Sequence, residues 1–273
     1  MSMAREPERA LGFRPIPGDG LRLGLAALIL VLAWLLGGCA APVGANASGG
    51  SPAASSVEVS LGRESFTLGP DTLLYAVDFD GPTSPDAEPA DWPADWRVES
   101  GTWDAGPEGL VGVSAEAGAS AVWCTRSFPG DIAVRVWGAA LPPSANDLNV
   151  YFAGKGSLSE PCLIAGTFGW WTSRHGLERH PGGTPQTWAA TRAAGPMEPG
   201  RSYEVVTGRK GRRVFLFVDG EEVITVNDPE PLPDHHDRIG LATWDATVRF
   251  TRVEVHRVGE RPPTTHDPAA TDP

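Results

Sequence analysis

Cysteine, tyrosine and methionine are scarce in this chain, with three of each among 273 residues. Three thiols cannot supply the dense disulfide framework of a small secreted scaffold, and a chain of this length has no need of one. Positive charge is also in short supply: 22 Lys and Arg against 34 Asp and Glu give a formal charge of −12. Nucleic-acid binding draws most of its affinity from neutralising phosphates, so this balance argues against a nucleic-acid partner. No ten-residue segment carries a convincing 3.6-residue apolar period, which excludes long helical architectures. The strings Gly-x-Ser-x-Gly and His-Glu-x-x-His are missing, so neither a nucleophile elbow nor a zincin helix is encoded. Turn formers are abundant instead: Gly 33 and Pro 26, without any Gly-X-Y period. That is the composition of a turn-rich domain with low-complexity ends, not of collagen.

The N-terminus is an address. Arg5, Arg9, Arg14 and Arg22 precede an uncharged apolar run, 23–36, that leads into Leu36-Gly37-Gly38-Cys39. A basic start, an apolar centre shorter than the roughly 20 residues of a spanning helix, and a small-residue end make a tripartite export signal. The tetrapeptide resembles the lipobox of bacterial lipoproteins, in which the cysteine is acylated and becomes the new N-terminus. The resemblance implies a signal peptide at 1–38, lipidation of Cys39 with palmitate-type chains, and the lipid bilayer as a partner. It also implies an extracytoplasmic position on the bacterial cell envelope. A chance cysteine beside an ordinary signal peptide or signal anchor is the competing reading. Buried acyl methylenes contribute roughly 0.8 kcal/mol each, so the rest of the fold need not seek the membrane. Without residues 1–38 the chain keeps 18 basic and 31 acidic groups, a formal charge of −13. Residues 39–70 read as tether and lead-in, since 39–56 are almost all Ala, Gly, Ser and Pro. Such composition cannot bury enough apolar surface to offset its ordering entropy, and the similarly biased stretch 259–273 reads as a disordered tail.

Residues 71–258 have the marks of one all-β domain, a two-sheet antiparallel β-sandwich. Gly, Pro, Asn or Asp recur about every ten residues, and the apolar positions between them alternate with polar ones. Strands are expected at 74–79, 96–99, 110–113, 121–125, 132–137, 148–153 and 163–168. Further strands are expected at 203–207, 213–218, 221–226, 238–244 and 247–255. Asp219-Gly220 between two β-rich runs suits the positive φ angles of a type I′ hairpin. Ten or more short strands exceed an immunoglobulin-sized sandwich and fit a larger jelly roll.

Several strings carry a resemblance. The pattern Tyr203-x-Val205, Phe215-x-Phe217-Val218-Asp219-Gly220-x-x-Val223, Arg238-Ile239-Gly240-Leu241 and Val253-x-Val255 resembles the closing strands of concanavalin A-like lectin/glucanase domains. Trp96-x-Val98-x-x-Gly101-x-Trp103 with Gly109-Leu110-Val111 resembles their early strands. Val122-Trp123-Cys124, Phe128-Pro129 and Tyr151-Phe152-Ala153-Gly154-Lys155-Gly156 are similar to a bacterial family of such domains whose function is unassigned. The likeness spans 72–257 and implies the concanavalin A-like jelly roll. Because one fold hosts many functions, it says less about activity.

Retaining hydrolases of this superfamily carry Glu-x-Asp-x-x-Glu or Glu-x-Asp-x-Glu, because two carboxylates must flank the glycosidic bond about 5–5.5 Å apart. Neither string occurs here. Asp78-Phe79-Asp80 lacks a third acid, so Asp78 and Asp80 stand as strand-end residues or as candidates for a calcium site of the kind some relatives hold. The densest polar-aromatic cluster, 168–180, contains Trp170, Trp171, Arg174, His175 and Glu178. Aromatic faces stack on the C–H faces of sugars while charged and amide groups bond the hydroxyls, so this cluster is the candidate saccharide site. Its competing reading is one core tryptophan and a charged surface loop; acid/base or metal chemistry through His175, Glu178 and His180 is a third. Strand parity adds Asp147 and Asn149 to the same face, with Lys155 at its edge. Asp234-His235-His236-Asp237 reads as an exposed loop, and 209–213, a basic run, as a hairpin turn or a contact for an anionic polysaccharide. Cys124 and Cys162 are either a disulfide or two buried thiols. The expected function is therefore carbohydrate binding without catalysis by a tethered lipoprotein. A polysaccharide or wall glycan is the partner, and no cofactor is implied beyond the calcium candidates. The alternatives are a carbohydrate-active hydrolase or lyase, and a structural or protein-binding envelope component.

Overall fold

The computed structural model describes residues 56–80, 93–114, 118–169, 173–180 and 189–259. These hold seventeen β-strands and no helix. A hairpin comes first, β1 (Val57–Leu61) and β2 (Glu64–Leu68). It is followed by β3 (Leu73–Asp78), β4 (Trp96–Ser100), β5 (Thr102–Gly106), β6 (Gly109–Val113), β7 (Ala119–Cys124) and β8 (Ile132–Ala140). Next come β9 (Leu148–Gly154), β10 (Cys162–Thr167), β11 (Arg174–His180), β12 (Ala189–Ala193) and β13 (Tyr203–Lys210). The chain closes with β14 (Arg213–Val218), β15 (Glu221–Asn227), β16 (Arg238–Trp244) and β17 (Thr247–Arg257).

Two antiparallel sheets form the sandwich. One runs β12-β11-β10-β9-β16-β7-β4; the other runs β15-β14-β13-β8-β17-β6-β5, with β3 also paired to β17. β17 is long enough for two partners along one edge, β6 at Thr247–Phe250 and β3 at Arg252–His256, while β8 lies on its other side. Its inward residues change phase, from Val248 and Phe250 to Val253 and Val255. A bulge between Phe250 and Arg252 supplies the extra residue that resets the alternation. The Asp219-Gly220 turn has positive φ at both residues, 49° and 80°, as the dipeptide predicts.

The core lies between the sheets. Val150, Phe152, Leu163, Leu177, Ile239 and Leu241 of one sheet meet Val134, Val205, Leu216, Phe250 and Val253 of the other. Two differences from the sequence reading stand out. The stretch 57–68, expected as lead-in, is folded: Val59, Leu61 and Leu68 cover Ala133, Val206, Phe215 and Phe217 on the outer face of the eight-stranded sheet. Those outward aromatics would otherwise be an exposed apolar patch, which explains why the hairpin is held there. The candidate Cys124–Cys162 disulfide is not formed, and both cysteines are free and buried. Cys124 packs in the core between the sheets, whereas Cys162 packs with Trp123 and Tyr151 on the opposite face. β7 and β10 are also separated by two strands, about 14 Å at the usual interstrand spacing, twice the reach of a bridge.

Candidate functional site

The outer face of the seven-stranded sheet is built from residues of one parity. Cross-strand register sets Trp123, Gly240, Tyr151, Ile164 and Glu178 in one row, and Ala121, Ala242, Asn149, Gly166 and Gly176 in the next. The second row is made almost wholly of small residues, so it forms a depression. A pocket of about 530 Å³ opens there, lined among others by Asn149, Tyr151, Glu178, His180, Trp244 and Asp245.

Three of the expected site residues meet in it: Asp147, Asn149 and Glu178. Asp147 precedes β9 with φ of 82°. Its carboxylate accepts the Asn149 side-chain amide at 2.8 Å and the backbone N–H of Trp244. Gly169 is required beside it, since a Cβ there would fall 2.0 Å from the Asp147 carboxylate. Burial pushes Asp147 up to about 7 against those two hydrogen bonds, and burial likewise pushes Glu178 up to about 7. Asn149 Oδ1 is buried with no hydrogen-bond partner among the described residues. An orphaned acceptor of this kind costs roughly 1–3 kcal/mol, and native interiors rarely leave one unexplained. Non-glycine residues at positive φ gather here too: Asp147 and Asp245 line the pocket, and Phe168 and Ser173 bracket the segment between β10 and β11. Backbone strain of this sort concentrates at ligand clamps.

The other expected residues are placed differently. Arg174 lies on the Glu178 face but donates to Thr191 Oγ1 at 3.0 Å on β12. His175 has the opposite parity and packs edge-on against Phe168, 4.7 Å between ring centroids, in the interior. Burial first, and Arg192 second, hold its pKa below the usual value, and its Nδ1 is unpartnered among the described residues. Trp170 and Trp171 lie outside the described residues, as do Cys39 and the tail after Gly259; Gly169, the residue before the tryptophan pair, lines the pocket. β11 is a strand and not the loop weighed as the alternative, because its alternate residues Leu177 and Glu178 serve core and pocket in turn. Asp78 is engaged by Arg252 across to β17, and among the described residues no group of three His, Cys, Asp or Glu could hold a metal.

Sequence reasoning missed Trp244, Tyr151 and Asp245. Trp244 is 52% exposed, one of two exposed large apolar residues among those described. The signal was present in β16, where Ile239 and Leu241 point inward while Gly240, Ala242 and Trp244 share the other face. A tryptophan following two small residues of the same parity has no core to enter. The basic run 209–213 is not a free cationic surface. Arg209 binds Leu232 O and Asp234, Lys210 and Arg213 pair with Glu64, and Arg212 donates to Pro229 O. The segment 234–237, expected as an exposed loop, is partly tied down: Asp234 pairs with Arg209, His236 is buried and held at Pro161 O with its ring 4.9 Å from that of His235, and Asp237 accepts from Ser127.

No protein-family model matches the chain, and no curated protein matches it. Solved structures do. A carbohydrate-binding module, CBM66 from Bacillus subtilis, superposes with TM-score 0.50 at 20% identity, covering 59% of this chain and 95% of its own. A protein of unknown function with a galectin-like fold from Bacillus subtilis gives TM-score 0.53 at 15% identity, covering 70% and 98%. The carbohydrate recognition domain of Emp47p gives 0.51 at 11% identity, covering 70% and 100%. At these identities the likeness defines the fold: the chain folds as a lectin-like β-sandwich. Its structural neighbours include a carbohydrate-binding module and a carbohydrate recognition domain.

Proposed function

We propose that this β-sandwich binds carbohydrate in the pocket between Trp244, Tyr151 and Glu178, without acting on it. The observation that carries the reading is the orphaned Asn149 Oδ1 in a pocket of mixed polar and apolar walls rimmed by an exposed indole. A sugar offers both complements at once, hydroxyl donors for Asn149 and for the carboxyls of Asp147 and Glu178, and an apolar C–H face for the Trp244 ring. The neighbours named above support the same class of ligand. Glycan-array binding by the wild type that disappears in Trp244→Ala and in Asn149→Ala tests the reading; binding unchanged in both variants overturns the site.

The domain is further proposed to be held at the bacterial cell envelope by lipid on Cys39. The chain enters the sandwich at Val57, where β1 packs on the eight-stranded sheet, on the face opposite the pocket. A tether of 17 residues, Ala40 to Ser56, spans at most about 60 Å, so a lipid anchor would keep the domain within that distance of the membrane surface. Metabolic labelling with palmitate, and its loss in Cys39→Ala, tests the anchor.

A second reading is favoured by one observation, that two carboxyls, Asp147 and Glu178, sit in one pocket with their pKa values raised to about 7. A protonated Glu178 could serve as the acid of a hydrolase or lyase. Product release from a polysaccharide panel, read by mass spectrometry and abolished in Glu178→Gln, would establish catalysis in place of binding.

A further inference from the structure

A second cavity of about 200 Å³ lies beside the pocket on the same face, and its walls are cationic. Arg97, Lys155 and Arg238 line it with Trp123 and Gly156. The two cavities are neighbours: Trp123 lines one and Tyr151 the other, with their ring centroids 5.4 Å apart. They also share a loop, since Gly156 lines the small cavity and Leu158 the large one.

Three positive side chains converging in a chain of charge −12 call for a reason. Their internal partners are few. Arg97 donates to Gly156 O at 2.8 Å and has no acidic partner among the described residues. Lys155 reaches Glu160 only at 3.7 Å, with both side chains well exposed, and Arg238 reaches Asp237 at 3.4 Å. Asp237 is shared with the Ser127 hydroxyl. Gly156 has φ of +88°, the left-handed region that favours glycine, at the turn that leads from Lys155 into the shared loop. In the run 209–213, by contrast, Arg209 and Lys210 are held by carboxylates at 2.8 Å, closer than either ion pair here.

The geometry points to an anion subsite at Arg97, Lys155 and Arg238, so that the glycan taken by the domain is an acidic polysaccharide whose sugar carboxylate sits there while another ring, further along the same glycan, occupies the Trp244 pocket. This rests on the carbohydrate reading above and names its substrate class. A guanidinium fork pairs a carboxylate through two charge-assisted hydrogen bonds, and a flanking ammonium adds field without demanding geometry. Trp123 separates the two sites, its Nε1 donating to Glu99 at 2.6 Å, while Glu99 also accepts from Ser157 and the Leu158 N–H and so holds the shared loop in place.

The test uses the full chain and a panel of oligouronates, each paired with its carboxyl-reduced neutral counterpart, in saturation-transfer NMR. At least one oligouronate should bind tenfold or more tightly than its neutral counterpart at low salt. That preference should vanish in the Arg97→Gln, Arg238→Gln double variant while affinity for the neutral sugar stays unchanged. Trp244→Ala should weaken both forms together. Equal binding of acid and neutral forms, or a preference that survives in the double variant, overturns the anion subsite and leaves the carbohydrate pocket standing. Displacement of the oligouronate by equimolar inorganic phosphate overturns the carboxylate assignment in favour of a phosphate-bearing ligand. Failure of every sugar in the panel, acid and neutral alike, overturns both.

Discussion

The carboxylate of Asp147 accepts the backbone N–H of Trp244, residues 97 positions apart in the chain. That bond ties the entry to β9 to the turn between β16 and β17, and so fixes the indole at the pocket rim. Trp244 itself is anchored by its backbone and leaves its ring in water. Trp244→Ala should therefore lower glycan affinity tenfold or more while shifting the melting temperature by no more than a degree or two, since exposed truncations cost little stability. A large loss of stability would mean that the ring is a packing element.

The pH dependence of stability should carry the signature of Asp147. Its folded pKa of about 7 lies above the ordinary carboxyl value of 3.8. Between those values the native state keeps a proton that the unfolded state has released, so stability falls as pH rises from about 4 to 7, by on the order of 3 kcal/mol. Asp147→Asn, whose carbonyl can still accept the Trp244 N–H, should flatten that decline in urea titrations at pH 5 and pH 8. An equal slope in wild type and variant would contradict the burial argument.

Glu254 acts in the opposite direction. It is buried on the outer face of the eight-stranded sheet, where it meets Arg252 at 2.8 Å, His256 at 3.1 Å and Arg135 at 3.4 Å. Burial pushes its carboxyl up, but hydrogen bonds with His256 and Arg252 outweigh it and bring the pKa down to about 2. Its stabilisation is complete above about pH 4.5 and is lost as pH falls toward 2. Arg252→Met should raise the midpoint of acid unfolding, followed by circular dichroism, by roughly one pH unit or more; an unchanged midpoint would remove this cluster from the acid transition.

Burial raises both folded-region thiols, Cys124 to about 11 and Cys162 to about 12. Neither is a thiolate at neutral pH, and neither can reach the other. Iodoacetamide at pH 8 should leave both unmodified in the native protein and label both after denaturation, as mapped by peptide mass spectrometry. A cross-linked peptide joining residues 124 and 162 would refute the placement on opposite faces.

Removing 56–68 should expose Phe215 and Phe217 to water. The hairpin covers them through Val59, Leu61 and Leu68, with Phe66 5.6 Å from the Phe215 ring. The truncated chain should unfold at a urea concentration at least 1 M lower and aggregate on concentration, since a large exposed apolar patch promotes association. Unchanged urea unfolding would show that the hairpin is dispensable.

The sequence alone placed twelve of the seventeen strands, because a period of two, punctuated by turn residues, is a local property that the Asp219-Gly220 hairpin expresses in full and β17 expresses on either side of its bulge. The scarcity of cysteine likewise pointed away from a disulfide-built core, and the two thiols in the folded part are free. Strand parity put Asp147, Asn149 and Glu178 on one face before any contact was known. Which residues complete the pocket was decided by the order of strands across the sheet. Tyr151 and Glu178 are neighbours only because β10 lies between their strands, and Trp244 arrives from β16, far along the chain. His175 was misjudged for a related reason: one position of register separates a pocket residue from a core residue, and only the pairing of β11 with β10 and β12 settles that phase. The few positive charges divided in the same way, since a consecutive run finds internal partners while the three cations that converge beside Trp123 come from three separate places in the chain.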